Sequence, residues 1–177
     1  MGWRYFSQLA SDDPGRPDAT IDIVVDASWR PVRARIEAGA HSILLIAEPS
    51  RLVGFRDRAA IEIPWGSEMA LGYASPGFDA VTLSPRRDAA RFDVVVLDAL
   101  TLEPRVERHG CEPADDGTVD TPVGRFAGRR WRYEAPVDGT ARDLWCAGDV
   151  VVHEDGHYEL ESYDPGASGP WIEDATR

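Results

Sequence analysis

Apolar and polar residues alternate with a period of two through much of this chain, and that pattern sets the fold class. In Thr20–Ala27, Ile21, Ile23 and Val25 share one side, while Asp22 and Asp26 take the other. In Val32–Ala38, Val32, Ala34 and Ile36 oppose Arg33, Arg35 and Glu37 in the same way. Such alternation predicts strands of an antiparallel sheet with one dry and one wet face. Ile43–Ile46 and Val94–Leu97 are apolar on both sides, which predicts a central position or a covering element.

Further strands are predicted at Trp3–Gln8, His41–Ala47, Ala59–Ile63, Phe78–Leu83, Phe92–Leu97, Arg105–His109, Phe126–Glu134, Arg142–Cys146, Asp149–His153 and His157–Tyr163, with turn residues between most of them. Ser67–Tyr73 and Arg51–Ala60 leave room for a helix, but neither sustains a 3.6-residue period. The reading is a mainly β, single-domain chain over residues 1–177, with an irregular tail at Asp164–Arg177. Its strands are expected in one strongly curved antiparallel sheet, a half-barrel or open barrel, with at most one or two short helices. So few helices cannot fill a large concave surface, so the curved sheet is expected to enclose an apolar cavity.

Three Asp-Gly pairs, Asp116-Gly117, Asp138-Gly139 and Asp155-Gly156, punctuate the last third of the chain. Asp-Gly between strand-forming runs signals a tight hairpin, because both turn residues must take positive φ. Two-residue loops at the last two pairs would set Tyr133 opposite Leu144 and Trp131 opposite Cys146, all four on an apolar side. They would also set His153 opposite Tyr158 and Val151 opposite Leu160, with Glu154, His157 and Glu159 on the wet side.

His153-Glu-Asp-Gly-His157 matches the H-E-x-x-H zinc signature in letters only. That chemistry needs a helix to bring both imidazoles to one face. Val150-Val-Val before the motif and Asp-Gly within it favour strand and turn, so no metal site is expected. Neither a Walker loop nor a dinucleotide fingerprint is present, and no cofactor is expected.

Charge and cysteine content narrow the partners. Thirty-one acids against nineteen bases give a net charge of −12, which disfavours nucleic acid and anionic membrane surfaces. All the bases are arginine, which reads as coding bias rather than as a set of anion sites. Cys111 and Cys146 lie in no metal or disulfide pattern and read as small buried hydrophobes. The first residues lack a signal-peptide apolar run, and the longest apolar run, Ile43–Ala47, is too short to span a bilayer. The expectation is a cytoplasmic protein without an integral membrane segment. Exposed edge strands make a homodimer plausible.

The candidate site residues follow from the faces. His153 beside Tyr158 near a hairpin end suits a general acid or base, with His41, His109 and Asp79 as further candidates. The blander reading of the same residues, structural histidines and a surface carboxylate, is the favoured one for each taken alone. Trp65, Tyr73, Phe78, Trp131 and Tyr133 form an aromatic set that would line a ligand pocket or simply fill the core.

Some stretches resemble known families. Thr20–Ile36, TIDIVVDASWRPVRARI, resembles the early strand pair of a bacterial family described as glycolipid-binding, and Ser75–Arg87, SPGFDAVTLSPRR, resembles a segment of the same family. LDALTLEPRVERHG and VDTPVGRFAGRRWRY resemble half-barrel domains that look like the periplasmic lipoprotein carriers. The resemblance implies a curved antiparallel sheet around a greasy cavity with a short helical lid. It implies no catalytic residue. Two functions follow as expectations. One is the binding of a lipid, polyketide, terpenoid or aromatic compound. The other is a cofactor-independent lyase, isomerase, hydratase or cyclase acting on such a ligand.

Overall fold

The computed structural model describes residues 2–10, 17–136, 141–154 and 158–160. The expected class holds: the protein is mainly β, with a strongly curled half-barrel sheet, a separate antiparallel sheet and one short helix among the described residues. Hydrogen bonds divide the strands between two sheets where alternation had suggested one. The first sheet is a six-stranded meander in chain order: β1 (Trp3–Leu9), β2 (Ala19–Val25), β3 (Pro31–Ala38), β4 (His41–Ala47), β5 (Arg51–Arg56) and β6 (Ala59–Pro64). Next come β7 (Ala70–Gly72), helix α1 (Pro76–Leu83) and β8 (Ala90–Leu97), then β9 (Pro104–Thr121), β10 (Gly124–Glu134), β11 (Ala141–Ala147), β12 (Val150–Glu154) and β13 (Tyr158–Glu159). These strands form a seven-stranded sheet in the order β13-β12-β11-β10-β9-β8-β7. Its β7–β8 pair is parallel, with α1 in the connection.

The chain groups into two compact units, Met1–Pro85 with Phe92–Glu107, and Arg86–Arg91 with Arg108–Arg177. In the first, the predicted dry faces form the core except at Val32, which was expected on the dry side of β3 and is exposed because an irregularity in the β2–β3 ladder leaves it unpaired between Pro31 and Arg33. Ile21, Ile23, Ala34, Ile36, Ile43, Leu45 and Leu52 are all at most 1 % exposed. Phe78 and Val81 of α1 and Leu71, Val95 and Leu97 pack into the same cluster. Each such large side chain contributes about 1.5–3 kcal/mol when removed from water.

Three local expectations are corrected. Phe78–Leu83 is helix rather than strand. Ser75 caps it, its Oγ accepting from the Gly77 amide at 3.3 Å, and Pro76 starts the first turn with its φ already helical. An eight-residue helix is marginal alone; burial of Phe78 and Val81 holds it. Arg51–Ala60 and Ser67–Tyr73 are not helical, since they carry β5, the start of β6, and β7. Asp116-Gly117 lies inside β9, where Gly117 pairs with Gly128; the hairpin turns instead between Thr121 and Gly124. The other two Asp-Gly pairs and Asp164–Arg177 lie outside the described residues.

On the wet face of the first sheet, Asp22 receives Arg4 through two hydrogen bonds and Arg33 through a third. The Arg4 hydrogen bond holds the Asp22 carboxyl below the usual carboxylate range; partial burial opposes this, and the charges of Arg33 and Arg4 reinforce it. A carboxyl depressed in the fold stabilises it above its unfolded value, about 3.9, and that contribution is lost as pH falls through the folded value. Thermal melting from pH 7 downward is therefore expected to stay flat until about pH 5 and to fall below about pH 4. Asp22→Asn is expected to melt lower at pH 7 and to converge with wild type in acid. A constant offset down to pH 2 would remove Asp22 from this role.

Candidate functional site

The ten candidate residues divide evenly between the units. His41, Trp65, Tyr73, Phe78 and Asp79 belong to the first; His109, Trp131, Tyr133, His153 and Tyr158 belong to the second.

In the first set the structure brings Tyr73 and Phe78 together. They sit 6.0 Å apart, ring centre to ring centre, inside the buried core cluster, and Trp65 packs against that cluster. Asp79 stands in the first turn of α1, where its charge complements the helix N-terminus, and not on a strand facing a cavity. His41 Nδ1 meets Asp57 Oδ2 at 2.7 Å, and the other Asp57 oxygen accepts the Ser42 amide at 2.8 Å. Asp57 and Arg58 both have positive φ, so these bonds clamp a strained two-residue turn between β5 and β6. The His41 hydrogen bond, then that of Ser42, keeps the Asp57 carboxyl below its ordinary range.

The second unit concentrates polar chemistry on one sheet face. Tyr133 on β10 lies opposite Cys111 on β9 and Arg142 on β11. Trp131 lies opposite Pro113 and Leu144, and Leu144 lies opposite Glu154 on β12. Directly opposed residues share a face, and His109 joins it two residues before Cys111. His109, Cys111, Trp131, Tyr133, Leu144 and Glu154 are all buried.

A continuous row of contacts crosses these four strands. His109 Nδ1 and Tyr133 Oη are 2.8 Å apart, the donor being set by the histidine tautomer. The Arg142 guanidinium stands 5.2 Å from the centre of the Tyr133 ring, a cation–π contact. Arg142 Nη1 donates to both oxygens of Glu154, at 3.0 and 3.3 Å. The Glu154 side chain is 7 % exposed and that of Arg142 31 %, so Arg142 is the member of this pair that reaches water. Burial pushes the Cys111 thiol up, more than the Arg86 charge and a backbone bond from Ala90 pull it down. Cys111 is thus kept as the unreactive thiol.

Two registers differ from those the sequence suggested. Between β10 and β11 the pairing is shifted by two residues, so Tyr133 meets Arg142 and Trp131 meets Leu144. A two-residue shift preserves faces, and Trp131, Tyr133, Leu144 and Cys146 remain buried together in class. Between β12 and β13 the shift is one residue: His153 lies opposite Glu159, and Glu154 lies opposite Tyr158. The expected His153–Tyr158 pair is therefore not formed. An irregularity in the β11–β12 ladder takes up Val152 and sets Glu154 beside Leu144, within reach of Arg142. His153 lies opposite Trp145 instead. Tyr158 packs on the cluster of Phe126, Ala147, Val152 and Leu160. His153 and Glu154 are in a strand, as the rejection of the zinc helix requires; His157 lies outside the described residues.

Arg142 and Glu154 escaped the sequence reading. The available signal was an arginine and a glutamate on either side of a hairpin, next to a tyrosine on the neighbouring strand. It becomes visible only with the ladder irregularity in place.

No helix among the described residues is long and apolar enough to cross a membrane. No protein-family model and no curated protein sequence matches the chain. A crystal structure of a DUF1089 family protein from Pseudomonas aeruginosa matches with a TM-score of 0.60 over 90 % of this chain and 91 % of that one, at 18 % identity. At that identity the likeness concerns the backbone: the chain is similar in fold to this DUF1089 family protein.

Proposed function

We propose that the protein binds an amphipathic small molecule (a lipid, polyketide, terpenoid or aromatic compound) against the sheet face that carries Trp131, Tyr133 and Leu144. The observation that carries this reading is the row His109–Tyr133–Arg142–Glu154. Strand alternation asks only for apolar residues on a buried face, and desolvating four polar groups there has a cost. Recognition of a ligand's polar end gives those groups a use. Arg142, part exposed, would meet the head group, while the indole of Trp131 and Leu144 would take the apolar part. Burial of the ligand's apolar surface gains about 25 cal/mol per Å². The resemblance of Thr20–Ile36 and Ser75–Arg87 to the glycolipid-binding family agrees with this class of ligand.

The His109–Tyr133 hydrogen bond favours a second reading, a cofactor-independent lyase, isomerase, hydratase or cyclase. A histidine and a phenol at 2.8 Å form a pair through which a proton can move.

Native mass spectrometry of protein purified without detergent tests the first reading. The expected spectrum contains a species heavier than the 19.5 kDa chain by a discrete mass that organic extraction releases. Tyr133→Phe separates the two readings: a carrier keeps an adduct of the same mass, at whatever occupancy, whereas an enzyme accumulates unconverted substrate of a different mass in place of product. A bare chain after incubation with a panel of fatty acids, glycolipids and terpenoids would remove both.

A further inference from the structure

The wet face of the first sheet is not uniformly wet. Leu44 and Ile46 on β4 pair with Phe55 and Val53 on β5, and all four side chains point away from the core. Phe55 is 55 % and Ile46 45 % exposed, and Leu44 and Val53 are half-buried. Sequence alternation had marked Ile43–Ile46 as apolar on both sides, which called for a central position or a covering element, and β4 does lie inside the sheet. The described structure leaves its outer side open.

The charges around this quartet are ordered. On one flank, β1 to β3 carry Arg4, Arg33 and Arg35 against Asp22 and Glu37. On the other flank β6 carries Glu62, which meets Arg51 of β5, while Glu48 meets Arg51 at the β4–β5 turn. One flank is net basic and the other net acidic, with the apolar quartet between them. Ile46 lies between Arg33 and Val53 in the ladder, and Val53 lies next to Glu62, so Arg33, Ile46, Val53 and Glu62 form one row.

We infer that this face binds a second copy of the same chain about a two-fold axis that runs along the strands between β4 and β5. Such an axis lays β3 of one copy over β6 of the other and brings Arg33 to the partner copy's Glu62. An axis across the strands would lay β3 on β3 and set arginines against arginines. A self-complementary patch is what a two-fold interface requires. Two sheets packed face to face bury their apolar rows about 10 Å apart, with Phe55 at the centre as the aromatic anchor. This interface uses the sheet face, not the exposed edges.

Sedimentation velocity over a range of protein concentrations tests it. The wild-type chain is expected to shift from 19.5 kDa toward twice that mass as concentration rises. Phe55→Asp, at an already exposed position, is expected to weaken dimerisation about thirty-fold or more without lowering the melting temperature. Glu62→Arg alone is expected to weaken it about tenfold, and Glu62→Arg combined with Arg33→Glu to restore it, with association compared below the melting temperature of each variant because Arg33 also meets Asp22 and Glu62 also meets Arg51. A wild-type monomer at every concentration would overturn the inference, as would a dimer indifferent to Phe55→Asp. Failure of the charge swap to restore association would overturn the axis. A monomer that binds phosphatidylglycerol vesicles through Phe55 would give the face to a membrane instead. None of these outcomes depends on the ligand site of the second unit.

Discussion

Gly54→Ala is expected to lower the melting temperature by roughly 6–12 °C, from a loss of about 3 kcal/mol. Gly54 lies in the middle of β5, opposite Leu45. A Cβ placed there would lie 1.8 Å from the Leu44 carbonyl oxygen and 2.8 Å from its carbon. Both obstacles are backbone atoms of the adjoining strand, so no rotamer change relieves the overlap. The β4–β5 ladder must spread, and Leu45 and Leu52, each 1 % exposed, lose packing with it. Gly66→Ala is the control. Its new methyl group would meet nothing closer than the Met69 Cγ at 4.0 Å, and melting is expected to stay within about 1 °C of wild type. Equal melting of the two variants would show that β4 and β5 are not as close as described.

The second large effect belongs to Arg142. Its removal leaves Glu154 buried opposite Leu144 without its counter-charge. Breaking a fully buried pair costs about 3–5 kcal/mol, and the partial exposure of Arg142 reduces this to about 2–3 kcal/mol for Arg142→Ala. The double variant Arg142→Met with Glu154→Met removes both charges and keeps volume, and is expected to recover most of that loss. Chemical denaturation of the single and double variants gives the coupling. The same pair of variants separates stability from recognition. If Arg142 orients a ligand's polar end, the double variant regains its stability but not its ligand. A double variant as unstable as Arg142→Ala would show that the charge pair does not govern this part of the fold.

These two residues also show what the sequence made legible. The dry face of β2 was readable directly, because it alternates cleanly and one face is wholly buried, and that of β3 from Ala34 onward in the same way. Gly54 carried a strand signal, a glycine amid Leu52, Val53 and Phe55, that the apparent room for a helix in Arg51–Ala60 hid. Helix α1 was obscured in the same way, since Val81 and Thr82 are β-branched; the Ser75-Pro76 cap decided the matter. The aromatic half of the candidate site, Trp131 and Tyr133, was legible from alternation alone. Its ionic half was not. Arg142 and Glu154 meet only because the β10–β11 pairing moves by two residues and the β11–β12 ladder absorbs an extra one. Local sequence contains no record of either shift. His153 was the favoured catalytic residue for the converse reason: without the extra Val152 in the β11–β12 ladder, His153 would share the face of Val151, and with it Glu154 takes the place beside Leu144.

The most direct test of the central claim is a solution NMR titration of the protein with a single-chain amphiphile, following the Trp131 indole, the Tyr133 ring and the Arg142 Nε–H resonances. The account predicts saturable shifts at these three groups, with Phe55 and Ile46 on the outer face of the first sheet unmoved. Shifts confined to Phe55 and Ile46, or none at Trp131, Tyr133 and Arg142 at saturating amphiphile, would contradict it.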